Sequence, residues 1–416
     1  MPNKILLARI ISRAKYLILA GCMAAGLGLA AAGDSQAPAD LPGEKVSTPA
    51  GIQFRCAPES LARIQADMGN YLNELGIEPR LYVVSRSPER LRYTLSGPAQ
   101  ETSTLDFSQR QEMAISDNAG VIPDGEGGLR QVASVSSKEI VLALMQHGRL
   151  TEFSGRACQV EALRDHVGIR QNIVVWAEIL EWGWPDGGPA RWNLKYWDEG
   201  FLKSASSLRQ AFNDTFFNQD QYDIGCYTAA KLVVIQGILD YYYRIKQDPI
   251  NARLVEARLL EDGDPLEDVE PARMWSFEPD FNPETLHRPG KILRIDYGIA
   301  PKNFVPGDWV YFLNTDPETY SKTGYEGSNP IYLGRNRFVD YYNDNDHFYT
   351  FEAKLDEVYQ WRHKVFSRSR DKDRIVPLSA EDYERLSLPP RQGGLLKNLR
   401  TTPYYFGFED LPPIKP

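Results

Sequence analysis

Cys226 is the residue whose surroundings point most directly to chemistry. It stands three positions after Asp223, at the head of a stretch with apolar residues at helical spacing: Ala230, Val233, Val234, Gly237, Ile238 and Tyr241. Aspartate is a favoured N-cap, so the spacing predicts a helix from about Asp223 to Tyr243 with the thiol in its first turn. The amides left unpaired there, together with the helix dipole, favour a thiolate and can hold an oxyanion. Such a thiol attacks carbonyl carbons and needs a group that handles protons. Three downstream residues qualify by type: Glu326, Asp340 and His347, the last closing the polar run Asn343-Asp344-Asn345-Asp346-His347. Plainer roles stand beside these: a buried inert thiol, a solvated turn carboxylate, a polar turn. The Asn/Asp run lacks the ligand spacing and distal glutamate of an EF-hand, so no metal and no cofactor are expected. His147 and His363 fall in or beside predicted helices, and His166 and His287 in connecting segments; all four read as structural or surface residues.

Strands follow the cysteine helix. Trp309 to Leu313 is an uninterrupted apolar run introduced by the turn Pro306-Gly307-Asp308. Ile331 to Leu333 is closed by Gly334-Arg335-Asn336, and Phe338-Val339 begins a third strand, which predicts an antiparallel meander. A thiol helix packed on a small antiparallel sheet is the α+β arrangement of papain-type enzymes. Helices are expected at 172–182, 204–217 and 351–366, a charged stretch at 255–264, loop composition at 265–289, and an irregular Pro-rich tail over 389–416. The core is placed at 171–388. Before it, residues 52–170 read as an accessory α+β unit: helices at 58–75 and 136–145, strands at 81–84 and 91–95, and a loop over 116–128.

The first 33 residues carry Lys4, Arg9, Arg13 and Lys15 ahead of an uncharged stretch from Tyr16 to Ala32, the pattern of a secretory signal. Leu19-Ala20-Gly21-Cys22 resembles a bacterial lipobox, in which Cys22 is lipidated and tethers the chain to a membrane. Ala30-Ala31-Ala32 offers ordinary cleavage instead, and both readings stand. Residues 34–51 read as a flexible linker. In an exported chain, three further cysteines form an odd set, resolved most simply by a Cys56–Cys158 disulfide and a reduced thiol at Cys226. A formal net charge of −9 argues against nucleic acid as a partner.

Gly225-Cys226-Tyr227-Thr228-Ala229-Ala230-Lys231-Leu232-Val233-Val234 is similar to the nucleophile helix of spore-coat-type protein-glutamine γ-glutamyltransferases. The segments 306–314 and 326–334 resemble that family's next two strands, and Tyr196-Trp197 and Ala211-Phe212-Asn213-Asp214 fit upstream of them. The strand pair also resembles NlpC/P60 cell-wall hydrolases. The chain departs from the family at Ser328, where the transferases carry glutamate and NlpC/P60 enzymes histidine, and at Gly225, where a carboxylate precedes the cysteine. Near Asp340 and Tyr341 the relatives carry histidine. The resemblance implies an NlpC/P60-type papain-like core, a thioester on Cys226, and protein or peptide partners offering Gln and Lys side chains. The alternatives are a cell-wall amidase or endopeptidase, and a non-catalytic envelope scaffold, to which Ser328 gives room. For the transferase, an aromatic approach channel is expected from Trp192, Tyr196, Trp197, Trp309, Tyr311 and Tyr325.

Overall fold

Strand β1, Gly51–Arg55, leads into helix α1, Pro58–Glu74. Proline suits the first helical turn, and Leu61, Ile64, Met68, Tyr71 and Leu72 form one buried face. The computed structural model describes residues 50–183, 185, 189–262, 294–296, 299–316, 318–319, 325, 327–339, 348–365, 372–388 and 392–401, all within one compact unit, Thr48–Pro416. Strands β2, Tyr82–Ser87, and β3, Arg90–Leu95, form a hairpin.

The segment expected as a loop over 116–128 instead contributes strand β4, Asn118–Pro123, paired with β5, Leu129–Ser134. Of the β4 side chains only Ile122 is fully buried, so the sequence carries no apolar alternation there to mark a strand. Helix α2, Ser137–Leu144, is capped by the Ser136 hydroxyl, which accepts from the Glu139 amide at 3.1 Å. Strand β6, Leu150–Ser154, then adds in parallel to β1, giving the sheet order β2-β3-β1-β6.

Helix α3, Val160–Ala177, begins well before the helix expected at 172–182. It carries His166, which therefore lies in a helix rather than a connection, and it runs through the junction expected at 170/171. One apolar cluster holds side chains from both sides of that junction, from Ile52 to Val339. A disulfide joins Cys56 to Cys158, and Cys226 is outside any disulfide.

Short strands β7, Trp197–Asp198, and β8, Phe201–Leu202, precede helix α4, Leu208–Phe217, whose N-cap is Ser207. Helix α5 is Cys226–Asp240, continued by a π-helical turn over Tyr241–Ile245, and α6 is Pro249–Asp262. Every residue of α5 from Tyr227 to Leu239 is buried, so the helix is enclosed on all sides rather than along one stripe. Gly237 permits that enclosure: a Cβ there would come within 2.8 Å of the Ile173 backbone on α3.

The second sheet comprises β9, Arg294–Asp296; β10, Trp309–Leu313; β11, Gly327–Ser328; β12, Ile331–Gly334; β13, Arg337–Val339; and β14, Phe348–Tyr349. Helices α7, Phe351–Arg362, and α8, Ala380–Leu386, follow, and strand β15, Leu396–Thr401, ends the described chain. The order is β14-β13-β12-β10-β15-β9, with β11 also on β10. The expected meander is thus extended by a strand from the tail, in place of the irregular chain its composition suggests; β15 takes the second edge of β10. Strand β10 is buried on both faces, which accounts for its unbroken apolar run. Trp309, Tyr311 and Leu313 join the large cluster with α5, while Val310 and Phe312 join a second cluster with Phe351, Leu355 and Val358 of α7.

Candidate active site

Cys226 is the first residue of α5, and its N-cap is Gly225, not Asp223. Asp223 is committed elsewhere. Its carboxylate pairs with Arg191, and its backbone exchanges hydrogen bonds with Arg191 at 2.9 and 3.1 Å. The flanking Tyr222 and Ile224 bond Gly183 on the other side, at 3.1 and 2.9 Å. This clamp sets where the chain enters the helix. Gly225, the N-cap, has no side chain to cap α5, so among the described residues the first turn keeps the amide-rich end that the sequence suggested for the thiol. Cys226 itself is half-buried.

From the link between β11 and β12, Asn329 reaches the sulfur: its Nδ2 donates to Cys226 Sγ at 3.2 Å. The other end of the same amide accepts from Trp309 Nε1 at 3.1 Å. Trp309 also packs on Tyr227, the residue after the cysteine, with ring centroids 5.1 Å apart. Helix start and sheet are therefore joined at two consecutive residues of α5.

The face of each strand residue follows from register. Trp309 is opposite Ile331, and Phe312 is opposite Ser328. Side chains alternate along a strand, so Asn329 shares the Ile331 and Trp309 face, toward α5, whereas Ser328 shares the Phe312 face, toward α7. Ser328, which stands where the transferases carry glutamate, thus faces away from the thiol, and Asn329 reaches it. Ser328 Oγ is buried without a hydrogen-bond partner among the described residues. Asn329 was not singled out from the sequence, although counting back two residues from Ile331 would have placed it on the α5 face. Gly327 is bare for a local reason: a Cβ would meet the Tyr311 ring at 2.7 Å.

The start of β10 is held by charge. Asp308, fully buried, accepts from Arg149 Nη1 and Nη2 at 2.6 and 2.9 Å and from Arg170 Nη1 at 2.8 Å. The Val305 amide adds a fourth bond at 2.7 Å. Burial alone would raise this carboxyl, but the two guanidiniums and their hydrogen bonds hold it below the usual carboxylate range. Gly307, at φ 85°, allows the turn and leaves room for the Arg170 backbone, 3.1 Å from where a Cβ would sit.

Glu326, Asp340 and His347, the candidates for proton handling, lie outside the described residues, as do Cys22 and His287. The aromatic residues expected to wall a channel are mostly core: Trp192, Trp197, Trp309 and Tyr311 are buried in the large cluster, and Trp192 packs on Trp197 at 5.3 Å. Among the described residues, no cluster of His, Cys, Asp and Glu is placed to hold a metal ion, and no helix is long and apolar enough to cross a membrane.

The family model of protein-glutamine gamma-glutamyltransferases matches residues 130–344, just over half of the chain. The chain belongs to this family. The transglutaminase match takes in Cys226, Trp309, Ser328 and Asn329, begins within β5, and stops short of His347. No curated protein matches the chain. Among solved structures, a transglutaminase from Geobacillus stearothermophilus, without its C-terminal extension, is similar at 18% identity and a TM-score of 0.36, over 61% of this chain and 99% of that one.

Proposed function

We infer that this transglutaminase-family enzyme acts through a thioester on Cys226 and passes the acyl group to a lysine amine. Cys226 Sγ bonds to the side-chain carbonyl carbon of a substrate glutamine, the carbon–nitrogen bond breaks, and ammonia leaves with the thiol proton. A lysine amine then attacks the thioester, the isopeptide bond forms, the amine proton is released, and the thiolate is regenerated. The amides at the start of α5 are suited to bear the developing oxyanion. The observation that carries this reading is the placement of Cys226 at the start of an enclosed helix whose N-cap is a glycine, with the Asn329 amide donating to its sulfur. Glu326, Asp340 and His347 remain the proposed proton carriers by residue type and position in the sequence.

The test is incorporation of a small labelled primary amine into glutamine residues of a casein-like substrate. Incorporation that Cys226→Ala abolishes is expected; release of cell-wall peptides without incorporation would replace the transferase with a hydrolase. Export is proposed on the basic and apolar leader, and a lipid tether on Cys22. If Cys22 is lipidated, Cys22→Ser shifts the protein from the membrane to the soluble exported fraction; a parent protein already soluble refutes the tether.

A further inference from the structure

We propose that Asn329 is a catalytic residue, stabilising the Cys226 thiolate by donating a hydrogen bond, and that Trp309 is the positioning residue that keeps the donor end of its amide on the sulfur. The proposal rests on the reading of Cys226 as nucleophile and adds to it how the nucleophile is ionised.

A carboxamide has one donor end and one acceptor end, and which of them faces a neighbour must be argued from its partners. Here the partners settle it. An indole nitrogen can only donate, so the Asn329 oxygen must face Trp309 Nε1, 3.1 Å away. The amide NH2 is then left toward Cys226 Sγ at 3.2 Å. Trp309 and Asn329 are each only 1% exposed, so bulk water does not compete for these groups. Trp309 follows Asp308, which two arginines anchor at the start of β10, and its indole packs on the Tyr227 ring.

The sign of the effect follows. A thiolate is a far better acceptor than a thiol, so a fixed N–H donor favours the ionised form. The reverse orientation would set an oxygen against the sulfur and disfavour the anion. An amide side chain neither takes nor gives up a proton at neutral pH. Asn329 therefore acts by lowering the cost of ionisation rather than as the base, and the proton passes to one of the carriers proposed above. The start of α5 pushes in the same direction through its dipole.

The experiment is the pH dependence of iodoacetamide alkylation in the folded full-length protein, read by mass spectrometry on the peptide containing Cys226. A charge-assisted hydrogen bond corresponds to a displacement of about one to two pH units. Asn329→Ala should move the alkylation midpoint upward by that amount, and Asn329→Asp at least as far, because it places an acceptor on the sulfur. Asn329→Leu, similar in shape and lacking the donor, should show the same rise if the alanine variant does not fold. Trp309→Phe keeps a ring against Tyr227 but removes the N–H; it should raise the midpoint part of the way in the parent and not at all in the Asn329→Ala background. Profiles of Asn329→Ala and Asn329→Leu that superimpose on the parent would overturn the role of Asn329. An equal effect of Trp309→Phe in both backgrounds would overturn the positioning role. Alkylation needs no substrate, so its outcome is independent of whether amine incorporation succeeds.

Discussion

Arg149 and Asp308 face each other through two parallel hydrogen bonds at 2.6 and 2.9 Å, both side chains buried, one residue before Trp309. The pair ties the strand that carries the indole to the segment just ahead of β6, far away in sequence. Removing one partner of such a buried pair leaves an uncompensated charge, so Asp308→Asn should lower unfolding free energy by about 3–5 kcal/mol in urea titrations. A loss below about 1 kcal/mol would mean the arginines find other partners. Because the folded carboxyl titrates below its ordinary range, its contribution is complete above about pH 4 and disappears as pH falls through the depressed folded value.

Glu139 on α2 behaves in the opposite sense. Its carboxylate accepts from the Arg335 amide at 2.9 Å under Gly334, whose absent Cβ would lie 2.6 Å from it. Burial pushes this carboxyl up to about 7, against the lowering effect of Arg335. Between the unfolded value near 4.5 and the folded value, the native state keeps a proton that the unfolded chain has shed. Stability should therefore fall as pH rises through that window. Relative to Glu139→Gln, the parent should lose about 2–3 kcal/mol between pH 5 and pH 7, measured by denaturant unfolding at each pH. Parallel profiles for the two proteins would contradict this.

The Cys56–Cys158 disulfide links residues 102 positions apart, joining the end of β1 to the turn before α3. Closing so long a loop restricts the unfolded chain, and reduction should cost about 2–5 kcal/mol of stability. Thermal unfolding with and without a reductant that leaves the native fold otherwise unchanged measures it. An unchanged midpoint after confirmed reduction would show that the unfolded chain is already constrained.

Much of this arrangement could be read from residue patterns where local and tertiary preferences agree. The five apolar residues from Trp309 to Leu313 mark a strand because both faces are buried, and the thiol at a helix start follows from the enclosed run after Cys226. Reading failed where a tertiary partner overrode a local preference. Asp223 has the right side chain to cap α5, but Arg191 captures it, and Gly225 takes the N-cap position. Strand β15 has no marked pattern of its own; the open edge of β10 makes it a strand. Ser328 stands where the transferases carry glutamate, yet its neighbour Asn329 reaches the thiol, because one residue along extended chain is the opposite face.

The central claim is that Cys226 attacks a glutamine side chain and holds it as a thioester. The most direct measurement is the intact mass of the enzyme after rapid acid quenching in the presence of a glutamine-containing peptide and no amine. The expected result is an adduct equal to the peptide less ammonia, mapped to Cys226, lost on adding a lysine analogue, and recovered as the peptide–amine conjugate. Amine incorporation that persists in Cys226→Ala, or an adduct mapped to any other residue, would contradict the account.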